Sequence, residues 1–353
     1  MKQLGYHFFK CWISLGLFFY FKKIRIVGIE TIPFNKPTLF LSNHQNALLD
    51  ALLIATRSKL KPWYLTRSDV FKSKLFSPLF YFLQMLPIYR LRDGKDTLSK
   101  NRVIFNRCGE LLNDNEMLLV FPEANHNLKR RVRPISKGFT RLMFNALAQN
   151  SDLDLKLIPI GQNYINADGF PDSASLYFGK PIAVQDLLTE NSNETILRLK
   201  SVVSEELKKL TTHIEDEKNY DQILQELIIR DVDFLNPMAV NNLIGQLDKK
   251  VPKNSKNRYG FLNNLIMGLF ALINLPVVFV WRAFIKPKVP ELEFMSTFRF
   301  AFSMIVYPIC YMVFILVLSY AYNIKAACLI VLGHAALNVL FIKLGLTSSG
   351  QRK

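Results

Sequence analysis

Three long apolar runs near the end of this chain limit what it can fold into more tightly than any other feature. Phe261 to Ile285, Phe300 to Tyr322 and Ala326 to Ile342 each approach the roughly 20 residues that an α-helix needs to cross a bilayer. In hydrocarbon every backbone N–H and C=O must be satisfied inside the segment. Such runs are therefore either spanning helices or helices buried in a soluble core. Half of the residues are hydrophobic while the formal charge is +17, and a chain both apolar and basic suits an anionic membrane surface. The first run is the least regular, since it contains Asn263, Asn264, Asn274, Pro276 and Arg282. Tyr307-Pro308 predicts a kink in the second, which membrane helices tolerate. Together they predict a membrane region over 259–345 with two or three helices. The cations from Lys249 to Arg258 place the preceding domain on the cytoplasmic side, although Lys286, Lys288 and Arg299 divide the positive-inside signal.

The N-terminus carries a shorter apolar stretch. Phe8 to Phe21 spans 14 residues, is interrupted by Lys10, includes Trp12 and ends in Lys22-Lys23 and Arg25. It lacks the small-residue cleavage site of a signal peptide and is short for a span. An interfacial membrane helix over 1–23 is expected, with a core-packing helix as the alternative. Four cysteines (Cys11, Cys108, Cys310 and Cys328) are scattered without a CxxC or any metal-ligand spacing. Structural thiols in a reducing compartment are therefore expected, and no metal site.

Between these apolar ends, residues 24–188 alternate short apolar strands with helices. Ile24 to Val27, Thr38 to Leu41, Trp63 to Leu65, Met117 to Phe121 and Leu155 to Ile160 read as strands. Ala47 to Thr56, Asn101 to Asn113 and Ile135 to Gln149 read as helices. The alternation predicts an α/β layered domain on a mixed, largely parallel sheet. Active residues are then expected just past the carboxyl ends of strands, where His44 and Glu123 fall. Residues 189–258 turn to charged, helix-forming sequence, a helical arm followed by a basic linker.

Chemistry concentrates at Ser42-Asn43-His44-Gln45-Asn46-Ala47-Leu48-Leu49-Asp50. A neutral imidazole can take the proton from an attacking hydroxyl while a carboxylate fixes its tautomer. The bland alternative is a capping or core pair. Six steps separate His44 from Asp50, which along a continuous helix of 3.6 residues per turn would put them on different faces. The chain must turn before the helix begins, or bulge. No Gly-x-Ser-x-Gly occurs, so an acyl-serine intermediate of the hydrolase kind is not indicated.

Three more segments follow in order. In Leu86-Pro87-Ile88-Tyr89-Arg90, the arginine offers a two-pronged donor to phosphate oxygens, or is a surface residue. In Phe121-Pro122-Glu123-Ala124-Asn125-His126, a carboxylate followed by polar groups at a strand end suits an acceptor hydroxyl. Lys129, Arg130, Arg131, Arg133 and Lys137 put five cations in nine positions and lead into Lys137-Gly138 at a helix start. That run is either a solvated face or an anion site. Leu157-Ile158-Pro159-Ile160 closes the sheet.

This order of motifs, over Pro37 to Pro181, resembles the glycerolipid and lysophospholipid acyltransferase superfamily. The resemblance implies His44 as general base with Asp50 as its partner, Arg90 on the acceptor phosphate, Glu123 at the glycerol-phosphate end, and Lys137-Gly138 nearby. Asn125, His126, Lys129 and Arg130 complete the candidate acceptor-binding set. Two departures stand out: five residues rather than the usual four between the histidine and the aspartate, and Ala124 at the usual glycine after F-P-E. Some eukaryotic glycerol-3-phosphate acyltransferases resemble the wider spacing. The expected reaction moves an acyl group from acyl-coenzyme A or acyl-carrier protein to 1-acyl-glycerol-3-phosphate, giving phosphatidate, without a cofactor. Glycerol-3-phosphate is the alternative acceptor. The rival classes are a catalytically silent membrane scaffold and a nucleic-acid binder. The second is disfavoured because few aromatics lie among the cations.

Overall fold

The computed structural model describes residues 2–57, 60–72, 77–89, 96–247 and 260–347. Helix α1 (Lys2–Tyr20) runs directly into strand β1 (Phe21–Val27), and β2 (Thr38–Ser42) follows. Helix α2 (Ala47–Arg57) leads to β3 (Trp63–Arg67), α3 (Ser77–Phe82) to β4 (Met85–Ile88), α4 (Thr97–Asn113) to β5 (Met117–Val120), and α5 (Gly138–Gln149) to β6 (Lys156–Tyr164). Strands β7 (Asp172–Phe178) and β8 (Ile182–Ala183) complete the sheet. Beyond it come α6 (Ser192–Leu210), α7 (Tyr220–Ile229), α8 (Pro237–Ile244), α9 (Gly260–Ile273), α10 (Leu275–Val280), α11 (Met295–Ala321) and α12 (Ile324–Leu344).

The strands lie in the order β1-β7-β6-β2-β5-β3-β4, with β8 pairing β6 beside that path. Every pair is parallel except those that β6 makes with β7 and β8. This is the expected mixed, largely parallel sheet, and alternation along its strands makes two cores. Leu39 and Leu41 of β2 pack with Leu112, Phe139, Leu142, Leu199 and Val203 from α4, α5 and α6. Phe40, between them, packs on the opposite face with Leu17 of α1, Leu49 and Leu53 of α2, and Phe300 of α11. Beyond α6, which packs in the first of these cores, the arm folds on a small cluster of Ile214, Tyr220, Leu227, Phe234 and Val240.

The sequence pattern does not reveal β4, β7 or β8. Pro87 sits inside β4, and β7 interleaves Asp172, Ser173 and Ser175 with its apolar residues, so neither shows clean apolar alternation. Helix α5 begins at Gly138 rather than Ile135, because the Ser136 N–H donates to the Pro122 carbonyl instead, 2.9 Å. The basic linker expected before the membrane region falls at 248–258, outside the described residues.

Two C-terminal helices, Leu292–Ala321 and Ile324–Leu344, are long and apolar enough to cross a membrane. Pro308 lies inside the first without ending it. The earlier apolar run is broken: Asn264–Ile273 and Leu275–Lys288 meet at 99°. Asn274 marks the break with its Nδ2 on the Phe270 carbonyl, 3.0 Å, and Pro276 has no N–H to continue the ladder. The buried Asn274 amide exchanges hydrogen bonds with Asn338 of α12 (2.7 and 3.0 Å) and accepts one from Tyr307 of α11 at 2.9 Å. Polar contacts of this kind join apolar helices when lipid supplies no hydrophobic drive.

Candidate active site

Strands β2 and β5 are parallel neighbours, with Leu41 paired to Val120. His44 and Glu123 each lie three residues beyond that pair, so the register carries both past the same edge of the sheet. After β2 the chain turns sharply. Ala47 takes a left-handed φ of 41° where α2 starts, and Leu49 N–H bonds to the Asn46 carbonyl at 2.9 Å. Residues 44–46 thereby wrap around the carboxylate of Asp50, which is fully buried in the first turn of α2. Its Oδ2 accepts from His44 Nδ1 at 2.7 Å and from the backbone N–H groups of Gln45 and Asn46, each at 2.8 Å. Its Oδ1 accepts the Tyr164 hydroxyl at 2.5 Å. Burial and the neighbouring Asp50 push the Tyr164 phenol well above its ordinary pKa, which keeps it a donor. The wide spacing thus resolves into a loop whose own amides compensate the buried charge.

With Nδ1 on Asp50, His44 leaves Nε2 for a ligand. Its side chain is 16% exposed. One face of the imidazole stacks on Phe121, centroids 4.0 Å apart and planes at 14°, and its edge meets His126 at 5.6 Å and 89°. The Asn127 N–H donates to the His44 carbonyl at 3.0 Å, which ties the loops after β2 and β5 together. Because Gln45 and Asn46 spend their amides on Asp50, those two N–H groups are not free to hold an oxyanion.

The loop after β5 turns at Ala124, whose φ is 66°. There a glycine would sit without strain. Glu123, just before it, is buried and gripped by Arg133: Nη2 at 2.5 Å and Nε at 3.1 Å from Oε2, and the Arg133 N–H at 3.2 Å from Oε1. Burial raises the Glu123 carboxyl above its ordinary value, against the pull of Arg133 and of backbone N–H groups from Arg133 and His44. The same guanidinium also donates to the side-chain and backbone oxygens of Asn125.

The remaining cations divide by role. Arg130 turns inward: Nη1 and Nη2 donate to the carbonyls of Tyr164 and Ile165, both at 2.8 Å, and the guanidinium lies over Phe234 at 3.7 Å. Burial lowers its pKa to about 10. Arg131 pairs with Glu217 at 2.6 Å. The Lys129 ammonium lies 5.1 Å over the Tyr220 ring, while its carbonyl accepts from Gln45 Nε2 at 3.1 Å. Lys137 and Gly138 are exposed at the start of α5, where a Cβ on Gly138 would meet only Ser136 Oγ, at 3.5 Å. Arg90 lies outside the described residues, although Asn101 holds Tyr89 just before it through both backbone groups, at 2.9 and 2.7 Å.

The structure therefore gathers His44, Asp50, Glu123, Asn125 and His126 at one edge of the sheet and sends Arg130 elsewhere. Arg133 was visible in sequence only as one cation of a run. Phe121 stood in the sequence only as the residue before Pro122-Glu123 and Tyr164 gave no signal, and the partners they meet here lie 77 and 114 residues away.

Residues 23–162 match the Acyltransferase family model. Glycerol-3-phosphate O-acyltransferase 1 of Saccharomyces cerevisiae is 24% identical over 119 residues, 32% of this chain and 16% of the yeast protein. Glycerol-3-phosphate O-acyltransferase 2 of the same yeast is 24% identical over 109 residues, 30% of this chain and 14% of that protein. An uncharacterized acyltransferase of Schizosaccharomyces pombe is 27% identical over 81 residues, 23% of this chain and 12% of the relative. The chain thus spans less than a fifth of the length of these relatives. The crystal structure of the 1-acyl-sn-glycerophosphate acyltransferase from Thermotoga maritima aligns with a TM-score of 0.40 at 16% identity, covering 55% of this chain and 74% of that one.

Proposed function

We propose that the chain is a membrane-bound O-acyltransferase of the glycerolipid acyltransferase superfamily that acylates 1-acyl-glycerol-3-phosphate to phosphatidate, a reading supported by the match of residues 23–162 to the Acyltransferase family model. The observation that carries the reading is the His44–Asp50 pair. Nδ1 is held on a buried carboxylate at 2.7 Å, which leaves Nε2 of a partly exposed imidazole to take a proton.

In this mechanism His44 Nε2 takes the proton of the acceptor hydroxyl while Asp50 steadies the imidazolium that forms. The hydroxyl oxygen attacks the thioester carbonyl of acyl-coenzyme A or acyl-carrier protein. The tetrahedral intermediate collapses, the carbon–sulfur bond breaks, and His44 returns the proton to the departing thiolate. Phe121 and His126 keep the ring in one orientation, and ordering of this kind can supply several kcal/mol of the barrier. Arg133, steered by Glu123 beside Asn125, and the exposed Lys129 and Lys137 provide cationic donors for the acceptor phosphate. Arg90 is assigned to the same phosphate. The apolar spans hold the site at the bilayer surface, where a lysolipid enters from the side, and the domain faces the cytoplasm, where thioester donors are made.

Glycerol-3-phosphate is the second reading, favoured by the two yeast relatives that carry that substrate in their names. The two separate in membranes containing the full chain, given radiolabelled acyl-coenzyme A and one acceptor at a time. Labelled phosphatidate from the lysolipid supports the first reading. Label only in 1-acyl-glycerol-3-phosphate supports the second. Transfer to neither acceptor, from coenzyme A or carrier-protein thioesters, contradicts both.

A further inference from the structure

One segment reaches the site from the membrane region. Glu291 stands just before the short turn Leu292–Phe294 that leads into α11. Its carboxylate lies 3.2 Å from His126 Nε2, and the Phe294 ring meets the same imidazole edge-on with centroids 4.6 Å apart. His126 in turn stands at 89° to His44. Two histidine–carboxylate pairs therefore face each other. His44–Asp50 is built on the sheet, and His126–Glu291 has its carboxylate on the membrane side. A separate tie joins the same two parts. The Ala167 carbonyl accepts Asn46 Nδ2 at 2.8 Å and Ser296 Oγ at 2.7 Å, and Asn46 is one of the residues whose N–H holds Asp50.

We propose that Glu291 is a positioning residue for acyl transfer: with Phe294 it holds His126 against the edge of His44, so that residues 291–296 form the membrane-side wall of the catalytic site. The proposal rests on the acyl-transfer role of His44. Three constraints then fix the His44 ring: Asp50 on Nδ1, Phe121 on one face and His126 at the edge. Removing the third frees rotation about the terminal torsion, which is intrinsically broad for an imidazole, and opens the site to water. Glu291 is 62% exposed, and a polar contact so exposed adds little to stability. Its loss should therefore show in turnover rather than in folding. It also makes the site composite: the domain that carries His44 reaches full activity only with the start of α11 docked against it.

The test uses the full chain in lipid vesicles. Glu291→Ala lowers kcat about 10-fold, within the range that slight misplacement of reacting groups produces, with KM for donor and acceptor changed less than twofold and the melting temperature unchanged. Glu291→Gln, whose amide oxygen still accepts the Nε2 proton, stays within about threefold of wild type. His126→Ala falls at least as far as Glu291→Ala, and the double variant falls no further than His126→Ala, the non-additivity of residues acting in series. Wild-type kcat in Glu291→Ala, a double variant that shows the product of the two single losses, or a parallel fall in melting temperature overturns the proposal. Should His44→Ala retain transfer, the acyl-transfer assignment falls and this inference with it. If His44→Ala is inactive and Glu291→Ala is normal, only the inference falls.

Discussion

At the level of single residues, Asp50 organises the site. It is fully buried, and four donors converge on it, from His44, Gln45, Asn46 and Tyr164. Asp50→Asn places an NH2 group among those donors and upsets the His44 tautomer. We expect acyl transfer to drop by about 10⁴-fold and stability by about 1–3 kcal/mol from donors left unmatched, read as kcat and as melting temperature. Ala124 makes the opposite prediction. Its φ of 66° costs an L-residue about 1 kcal/mol, so Ala124→Gly should raise the melting temperature slightly and leave transfer intact; a lower melting temperature would contradict this. Much of this geometry was legible in sequence. Strand ends after Leu41 and Val120 bring His44 and Glu123 together, and six steps between His44 and Asp50 demanded a turn. What sequence could not resolve was which cation of the run faces the site. Arg130 and Arg133 differ there only in direction, and tertiary partners decide it: backbone carbonyls and Phe234 for one, Glu123 and Asn125 for the other.

Among the elements, legibility followed apolar composition rather than burial, since β7 is almost wholly buried yet carries Asp172, Ser173 and Ser175. Strands β2, β5 and β6 are apolar on both faces and stand out in the sequence, whereas β7 gains its place by pairing β1 and β6 on either side. Two of its polar groups also find partners: Ser175 Oγ and the Tyr177 hydroxyl bond the Leu235 carbonyl at 3.0 and 2.9 Å. The arm is held closely against the sheet at one point. A Cβ on Gly161 of β6 would stand 2.1 Å from the Leu210 carbonyl oxygen and 2.5 Å from its carbon, at the end of α6. Backbone cannot yield as a flexible side chain can. Gly161→Ala should therefore destabilise the domain by about 3 kcal/mol, measured by denaturant or thermal unfolding. A change within experimental error would mean that the end of α6 does not pack this closely on β6.

For the whole molecule, the union of a basic α/β domain with apolar spans decides behaviour. Helix α1 packs beside α11 and α12: Gly16 leaves room only for Met304, and Lys343 Nζ donates to the Phe18 and Phe21 carbonyls at 2.7 and 2.8 Å. The broken run before α11 was readable in outline from Asn274 and Pro276, but its 99° bend was not, since it depends on Asn338 and Tyr307 from other helices. Because two of its helices are long and apolar enough to cross a membrane, the chain should stay in the membrane pellet after washes in high salt and alkaline carbonate. Release by salt would indicate the screened, purely electrostatic attachment of a basic protein. The central claim, that His44 abstracts the acceptor proton, is tested most directly by comparing wild-type and His44→Ala chains at equal abundance in the same membranes, with radiolabelled acyl thioester and each glycerol-phosphate acceptor. The account predicts a loss of about 10³-fold in the variant, the scale of a positioned general base. Transfer by His44→Ala within a few fold of wild type would contradict it.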